Sequence, residues 1–170
     1  DQKLRDRVEF IHQSIGTDAI VERYIDGREL YVGVLGNQRL DVLPIWELLF
    51  TNLPEEARPI ATERVKWSVK YQEKCGIKSA EATDLSPETA AQIQHICKRV
   101  YRILQVSGYA RIDLRLDANG KIYVLEANPN PQLANDEDFA ESAQRIGIKY
   151  QNLLQRIINL GLRWRPEHAG

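Results

Sequence analysis

The most regular alternation of apolar and polar positions spans residues 109–131, YARIDLRLDANGKIYVLEANPNP, and predicts two strands joined by a turn. Asn119-Gly120 predicts a two-residue type I′ turn, because both central positions need positive φ and these residue types accept it. That turn pairs Ala118 with Lys121, setting Asp113 opposite Glu126 and Arg111 opposite Asn128. A four-residue loop over 117–120 shifts the pairing but keeps Asp113 and Glu126 on one face, whereas a three-residue loop separates them. Glu126 and Asn128 share a face whichever turn forms, since side chains two apart in a strand point the same way. The alternate positions Ala110, Ile112, Leu114 and Leu116, with Tyr123, Leu125 and Ala127, predict an apolar face for helices to cover.

Elsewhere the period changes. Leu4, Val8, Ile11 and Ile15 recur at helical spacing and predict a helix over 2–14, stopped by Gly16. Residues 19–25 and 28–35 predict a hairpin around Asp26-Gly27, and Gly36-Asn37 turns the chain into a third strand over 39–45. The pattern from 46 to 82 is weak and interrupted by Pro54 and Pro59, with one short helix predicted over 64–73. Ser86-Pro87 opens a helix that runs to about 106 and stops at Gly108. Two more helices follow, over 136–146 and 150–160, the second carrying Leu153, Leu154, Ile157, Ile158 and Leu160 as a core stripe. Residues 166–170 read as a frayed end. This order predicts an α+β domain, an antiparallel sheet covered on one side by helices.

Composition narrows the classes. The 170 residues are 43% hydrophobic and 28% charged, enough for one ordinary domain. A net charge of −1 gives no electrostatic footprint for nucleic acid. No apolar run approaches the ~20 residues of a membrane span, and no signal-peptide pattern is present. Cys75 and Cys97 lack metal or redox spacing and read as reduced thiols of a cytoplasmic protein. The absence of methionine and the start at Asp1 read as those of a processed chain or a fragment.

Two groups of residues carry candidate chemistry. Asp113, Glu126 and Asn128 present hard oxygen donors of the kind Mg²⁺ accepts alongside phosphate and water. The competing arrangement is a cross-strand ladder in which Arg111 and Arg115 neutralise the acids, and parity does not choose between the two. In the first predicted hairpin Glu22, Tyr24, Glu29 and Tyr31 share a face, which suits either a nucleotide clamp or a solvated surface. Lys66 and Lys70, beside Trp67 and Tyr71, offer point charges for phosphate or for solvent. His12, His95 and His168 are scattered, and there is no Ser-His-Asp grouping, P-loop or GxGxxG.

Together VERYIDGRELYVGVLG at 21–36 and ARIDLRLDANGKIYVLEANPNP at 110–131 resemble the ATP-grasp superfamily, most closely the C-terminal part of D-alanine–D-alanine ligases. The resemblance covers nearly the whole chain, with 46–85 matching loosely. It implies that residues 1–170 form a partial ATP-grasp domain, its N-terminal domain and small subdomain lying outside this chain. It implies ATP as cofactor with Mg²⁺ (or Mn²⁺) held by Asp113, Glu126 and Asn128. Glu22 and Glu29 would face the adenine amino group and the ribose, and the backbone near Arg23 and Ile25 the adenine edge. Arg111 would face the reacting phosphate, and Lys66 would contact phosphate. The implied reaction joins a carboxylate to an amine through an acyl phosphate. The implied partners are an amino acid or peptide substrate, the missing N-terminal part and a second copy in a homodimer, with no nucleic acid or membrane. Two alternatives stand beside it: a non-catalytic ATP-grasp-like module for nucleotide binding or assembly, and an ATP-grasp ligase with a non-amine acceptor such as a thiol. One departure matters, since Pro129-Asn130-Pro131-Gln132-Leu133 lacks the glycine of the ligases' Pro-Gly loop, which puts D-alanine in doubt.

Overall fold

Five antiparallel strands, in the order β3-β2-β1-β4-β5, organise the chain in the computed structural model, which describes residues 1–54, 57–60, 65 and 68–165. The strands are β1 (Arg28–Leu35), β2 (Asp41–Phe50), β3 (Ile77–Glu81), β4 (Tyr109–Leu116) and β5 (Ile122–Asn128). The helices are α1 (Gln2–Phe10), continued by a π-helical turn (Ile11–Ile15), α2 (Val69–Cys75), α3 (Pro87–Ile103), α4 (Asp138–Arg145) and α5 (Tyr150–Leu162). Caps explain several boundaries. Ser68 and Ser86 accept from Tyr71 and Thr89 at the starts of α2 and α3, and Gly16 takes φ 75° where the first helix ends.

The hairpin expected over 19–35 does not form. Residues 17–27 have no regular structure, because both edges of β1 are already occupied, by β2 on one side and β4 on the other. A strand at 19–25 would find no edge of β1 to join, so the Asp26-Gly27 signal is overruled by long-range pairing. β2 in turn runs five residues beyond the expected Ile45, to Phe50, to pair with β3, an edge strand lacking clear alternation that the sequence pattern did not predict. Pro44 is tolerated inside β2 because the register slips there, between Val32 and Val34 of β1, so no ladder N–H is required. The predicted helix over 64–73 is met by α2 from Val69; its expected start lies outside the described residues, as do 166–170.

The β4–β5 hairpin reaches the expected register by another route. Asp117 Oδ1 accepts from the N–H groups of Asn119 and Lys121, both at 2.9 Å, and Gly120 takes φ 78°, giving a three-residue loop over 118–120. Such a loop alone would put Asp113 and Glu126 on opposite faces. A bulge at Leu125 corrects this, since Asp113 pairs with Glu126 while Leu114 pairs with Val124. Leu125 is consequently 50% exposed instead of joining the apolar face.

Helices cover both faces of the sheet, not one. On the first face Leu30, Val32, Val34, Ile112 and Leu114 pack under Ile93, Cys97 and Tyr101 of α3. On the second, Leu35 and Leu43 pack with Phe139, Ala140 and Ala143 of α4 and Leu153 of α5. Gly33 makes room for this layer, because a Cβ there would meet Leu43 at 2.6 Å and the Phe139 ring at 3.0 Å. Farther along the second face Tyr31 and Glu29 lie opposite Trp46 and Leu48 of β2, and the β4–β5 side of that face carries polar side chains.

Both cysteines are buried, and burial pushes the Cys97 thiol up to about 12. Titration with an aromatic disulfide reagent near pH ~8 should therefore find no thiol in the folded protein and both after unfolding. Rapid labelling without denaturant would contradict this packing.

Candidate functional site

Strand register assembles the site. Glu29, Tyr31 and Gly33 of β1 lie opposite Arg115, Asp113 and Arg111 of β4, and Arg111 and Asp113 in turn lie opposite Asn128 and Glu126 of β5. These residues occupy the polar part of the second face. Five of them, Arg115, Glu29, Tyr31, Arg111 and Asp113, are joined in one connected series. Arg115 Nη2 donates to Glu29 Oε2 at 2.7 Å, and the Tyr31 hydroxyl donates to Glu29 Oε1 at 2.9 Å. The Arg111 guanidinium stacks over the Tyr31 ring, 4.6 Å from its centroid. Arg111 then donates from Nε and Nη2 to both oxygens of Asp113, at 2.7 and 2.8 Å.

The electrostatics follow from burial. Asp113 is only 5% exposed, and burial pushes its carboxyl up to about 6. Arg111 opposes that shift, whereas the nearby Glu126 carboxylate adds to it. Burial weakens the charged form of Arg111, but Asp113, helped by Asp138, outweighs this and holds its pKa above the ordinary value. Burial, then the charge of Glu29, raises the Tyr31 phenol well above its usual range. At the start of α4, burial together with Asp138 and Asp136 raises the Glu137 carboxyl.

The sequence-derived residues fare differently. Asp113, Glu126, Asn128 and Arg111 come together at one end of the β4–β5 hairpin, with Glu126 exposed, Asn128 half-buried and the Asn128 Oδ1 accepting from Asn130 N at 2.9 Å. Glu29 is buried beside them. Glu22 and Arg23 are exposed and Ile25 half-buried in the irregular segment before β1, so the hairpin face that was to bring Glu22 to Glu29 is not present. Lys66 lies outside the described residues. The structure gives three further residues specific partners, of which Asp138 alone is not a candidate in the sequence. Arg115 partners Glu29, the Tyr31 ring supports Arg111, and Asp138 Oδ2 lies 4.0 Å from Arg111 Nη1. Asp138 reaches Arg111 only because α4 folds back over the sheet, for which no local sequence signal exists.

As a metal site the set offers two carboxylates and an amide oxygen, all hard donors suited to Mg²⁺. The described residues contain no group of three or more His, Cys, Asp and Glu placed to hold a metal, so a third anionic ligand is not supplied by them. That leaves positions for phosphate oxygens and water, the usual Mg²⁺ arrangement with nucleotides. Any cation at Asp113 shares that carboxylate with Arg111 or displaces it.

The chain is also similar to known proteins. Residues 2–159 match the family model described as D-ala D-ala ligase C-terminus. The chain is 34% identical over 161 residues to the uncharacterized protein y4sG of Sinorhizobium fredii, covering 95% of this chain and 46% of that protein. It is 30% identical over 149 residues to D-alanine–D-alanine ligase of Desulfotalea psychrophila, covering 84% and 42% respectively. In fold it matches the Bacillus anthracis D-alanine–D-alanine ligase complexed with ATP at a TM-score of 0.73, with 24% identity over 96% of this chain and 47% of that one. The chain thus belongs to the D-alanine–D-alanine ligase C-terminal family, an ATP-grasp fold. It spans a little under half the length of these relatives.

Proposed function

We propose that the chain is the ATP- and Mg²⁺-holding part of an ATP-dependent carboxylate–amine ligase. The observation that carries this reading is buried Asp113 facing Glu126, with Asn128 and Arg111 at the same hairpin end, in a chain of a ligase family. In this reading a preceding half of the protein, including the small ATP-grasp subdomain, closes over the open polar face. No helix of the described residues is long and apolar enough to cross a membrane, and a cytoplasmic setting is part of the proposal.

Asp113, Glu126 and Asn128 would hold Mg²⁺, which when bound neutralises charge on the phosphates. Arg111, fixed by Asp113 and the Tyr31 ring, would stabilise charge on the transferred phosphoryl group. In this reading Glu29 would meet the ribose and Glu22 and the backbone at Arg23 and Ile25 would meet adenine, while Lys66, outside the described residues, is assigned to phosphate by the resemblance alone. A substrate carboxylate attacks the γ-phosphorus and ADP leaves. An amine then displaces phosphate from the acyl group, losing a proton as the amide forms. The acceptor is left as an amino acid or peptide, because residues 129–133 depart from the Pro-Gly loop. One observation favours the arginine-neutralised alternative, namely that Arg111 already bonds both oxygens of Asp113.

The test is ADP release by the full-length protein with Mg²⁺ across a panel of amino acids. Stimulation by one or a few amino acids supports the ligase reading, and none at all refutes it. The Asp113 carboxyl adds a pH signature. A metal needs the ionised form, so Mg²⁺-ATP affinity should be level above pH 7 and fall about tenfold per pH unit below about 6. Calorimetric affinities that stay constant down to pH ~5 would remove Asp113 from the ligand set.

A further inference from the structure

Arg115 is 3% exposed, and a buried guanidinium is retained at a cost unless its donors are satisfied. Here they are satisfied by acceptors on two separate stretches of chain, one running from the irregular segment into β1 and the other at 57–60. Nη2 donates to Glu29 Oε2 on β1 and to the Pro59 carbonyl, and Nη1 donates to the Gly27 carbonyl at 3.0 Å. The Tyr24 ring lies 5.4 Å from Arg115, and Arg58 lies 5.0 Å from the same ring. One side chain thus ties the irregular segment 24–27 and the 57–60 stretch to the carboxylate of Glu29. A structural pairing would need only Glu29. Tying two segments without regular structure to that acid fixes what surrounds it.

We propose that Arg115 is a positioning residue for the nucleotide: it orients Glu29 toward the ribose and clamps segments 24–27 and 57–60 around it. The proposal rests on the ligase reading above, in which Glu29 meets the ribose. Lysine substitutes only in part, because it keeps the charge but lacks the planar fork that reaches a carboxylate and two carbonyls together. Methionine keeps the bulk but removes the Arg115–Glu29 ion pair.

The test uses the full-length protein with Arg115→Lys and Arg115→Met, measuring calorimetric Kd values for Mg²⁺-ATP and Mg²⁺-2′-deoxy-ATP. The wild type should prefer ATP, and Arg115→Met should weaken ATP binding about tenfold or more, the size of a lost charged hydrogen bond. The preference over 2′-deoxy-ATP should collapse toward unity in Arg115→Met and be partly retained in Arg115→Lys. A merely structural role would weaken both nucleotides equally. Folded variants with unchanged selectivity therefore overturn the role of Arg115 while leaving the ligase reading intact. A wild-type protein that binds no ATP overturns both. Should the variants not fold, hydrogen exchange of the wild type decides. Segments 24–29 and 57–60 should gain protection at the same nucleotide concentration, and failure of either to respond overturns the clamp.

Discussion

Asp113→Asn in the full-length protein should weaken Mg²⁺-dependent nucleotide binding about a hundredfold or more, the largest binding effect expected of any single change in this chain. The substitution keeps the size of the side chain and removes its charge. Buried Asp113 stands between Arg111 on its own strand and Glu126 on the neighbouring one. A divalent cation at this end of the hairpin gains most from the less hydrated carboxylate, so Glu126→Gln, on an exposed side chain, should cost less. Folding is a separable matter. Asn at 113 relieves the burial of a carboxylate but takes the ion partner from Arg111, and these terms oppose each other. The variant should melt within a few degrees of wild type, and calorimetry with and without Mg²⁺ isolates the binding loss. Equal affinities for Mg²⁺-ATP in wild type and Asp113→Asn would return Asp113 and Arg111 to the status of a neutralised pair on a sheet face.

Arg111→Lys should lower kcat by about two to three orders of magnitude, the loss typical of removing a donor aimed at developing negative charge. The geometry explains why lysine is a poor replacement. The Arg111 plane stacks on Tyr31 while its Nε and Nη2 grip both oxygens of Asp113, and an ammonium cannot do both. Arg111→Met adds a pH signature. Arg111 lowers the Asp113 carboxyl toward ionisation, so its removal should move that group above about 6 and shift the acidic limb of the pH–rate profile to higher pH. Steady-state kinetics over pH read both effects. A kcat within threefold of wild type for both variants would show that Arg111 serves only to neutralise Asp113.

How much of this could be read from the chain depends on the range of the interactions involved. The β4–β5 register was readable because alternation carries parity, and parity places Asp113 with Glu126. Its turn was not readable, because the Asp117 carboxylate captures two backbone N–H groups and defeats the Asn-Gly preference. The bulge at Leu125 then restores the register, so two local departures cancel. At Asp26-Gly27 an equally good turn signal failed outright, since the neighbours of β1 are β2 and β4, the latter some eighty residues away in sequence. The second helical layer went unseen because Gly33, Leu43 and Phe139 fit together only in three dimensions. The site divides in the same way. Asp113, Glu126, Asn128 and Arg111 stand in a motif and on one hairpin, whereas the roles of Arg115 and Asp138 depend on contacts between distant segments.

The central claim is that this face serves transfer of the γ-phosphoryl group of ATP to a carboxylate. Oxygen-18 follows it directly. An amino acid that stimulates ADP release is labelled in its carboxylate and turned over by the full-length protein with ATP and Mg²⁺. The released phosphate is then read by its isotope-shifted phosphorus resonance. An acyl-phosphate intermediate transfers one carboxylate oxygen to phosphate, so each turnover should leave one labelled oxygen there. Unlabelled phosphate released at the full rate of ADP formation would contradict the account.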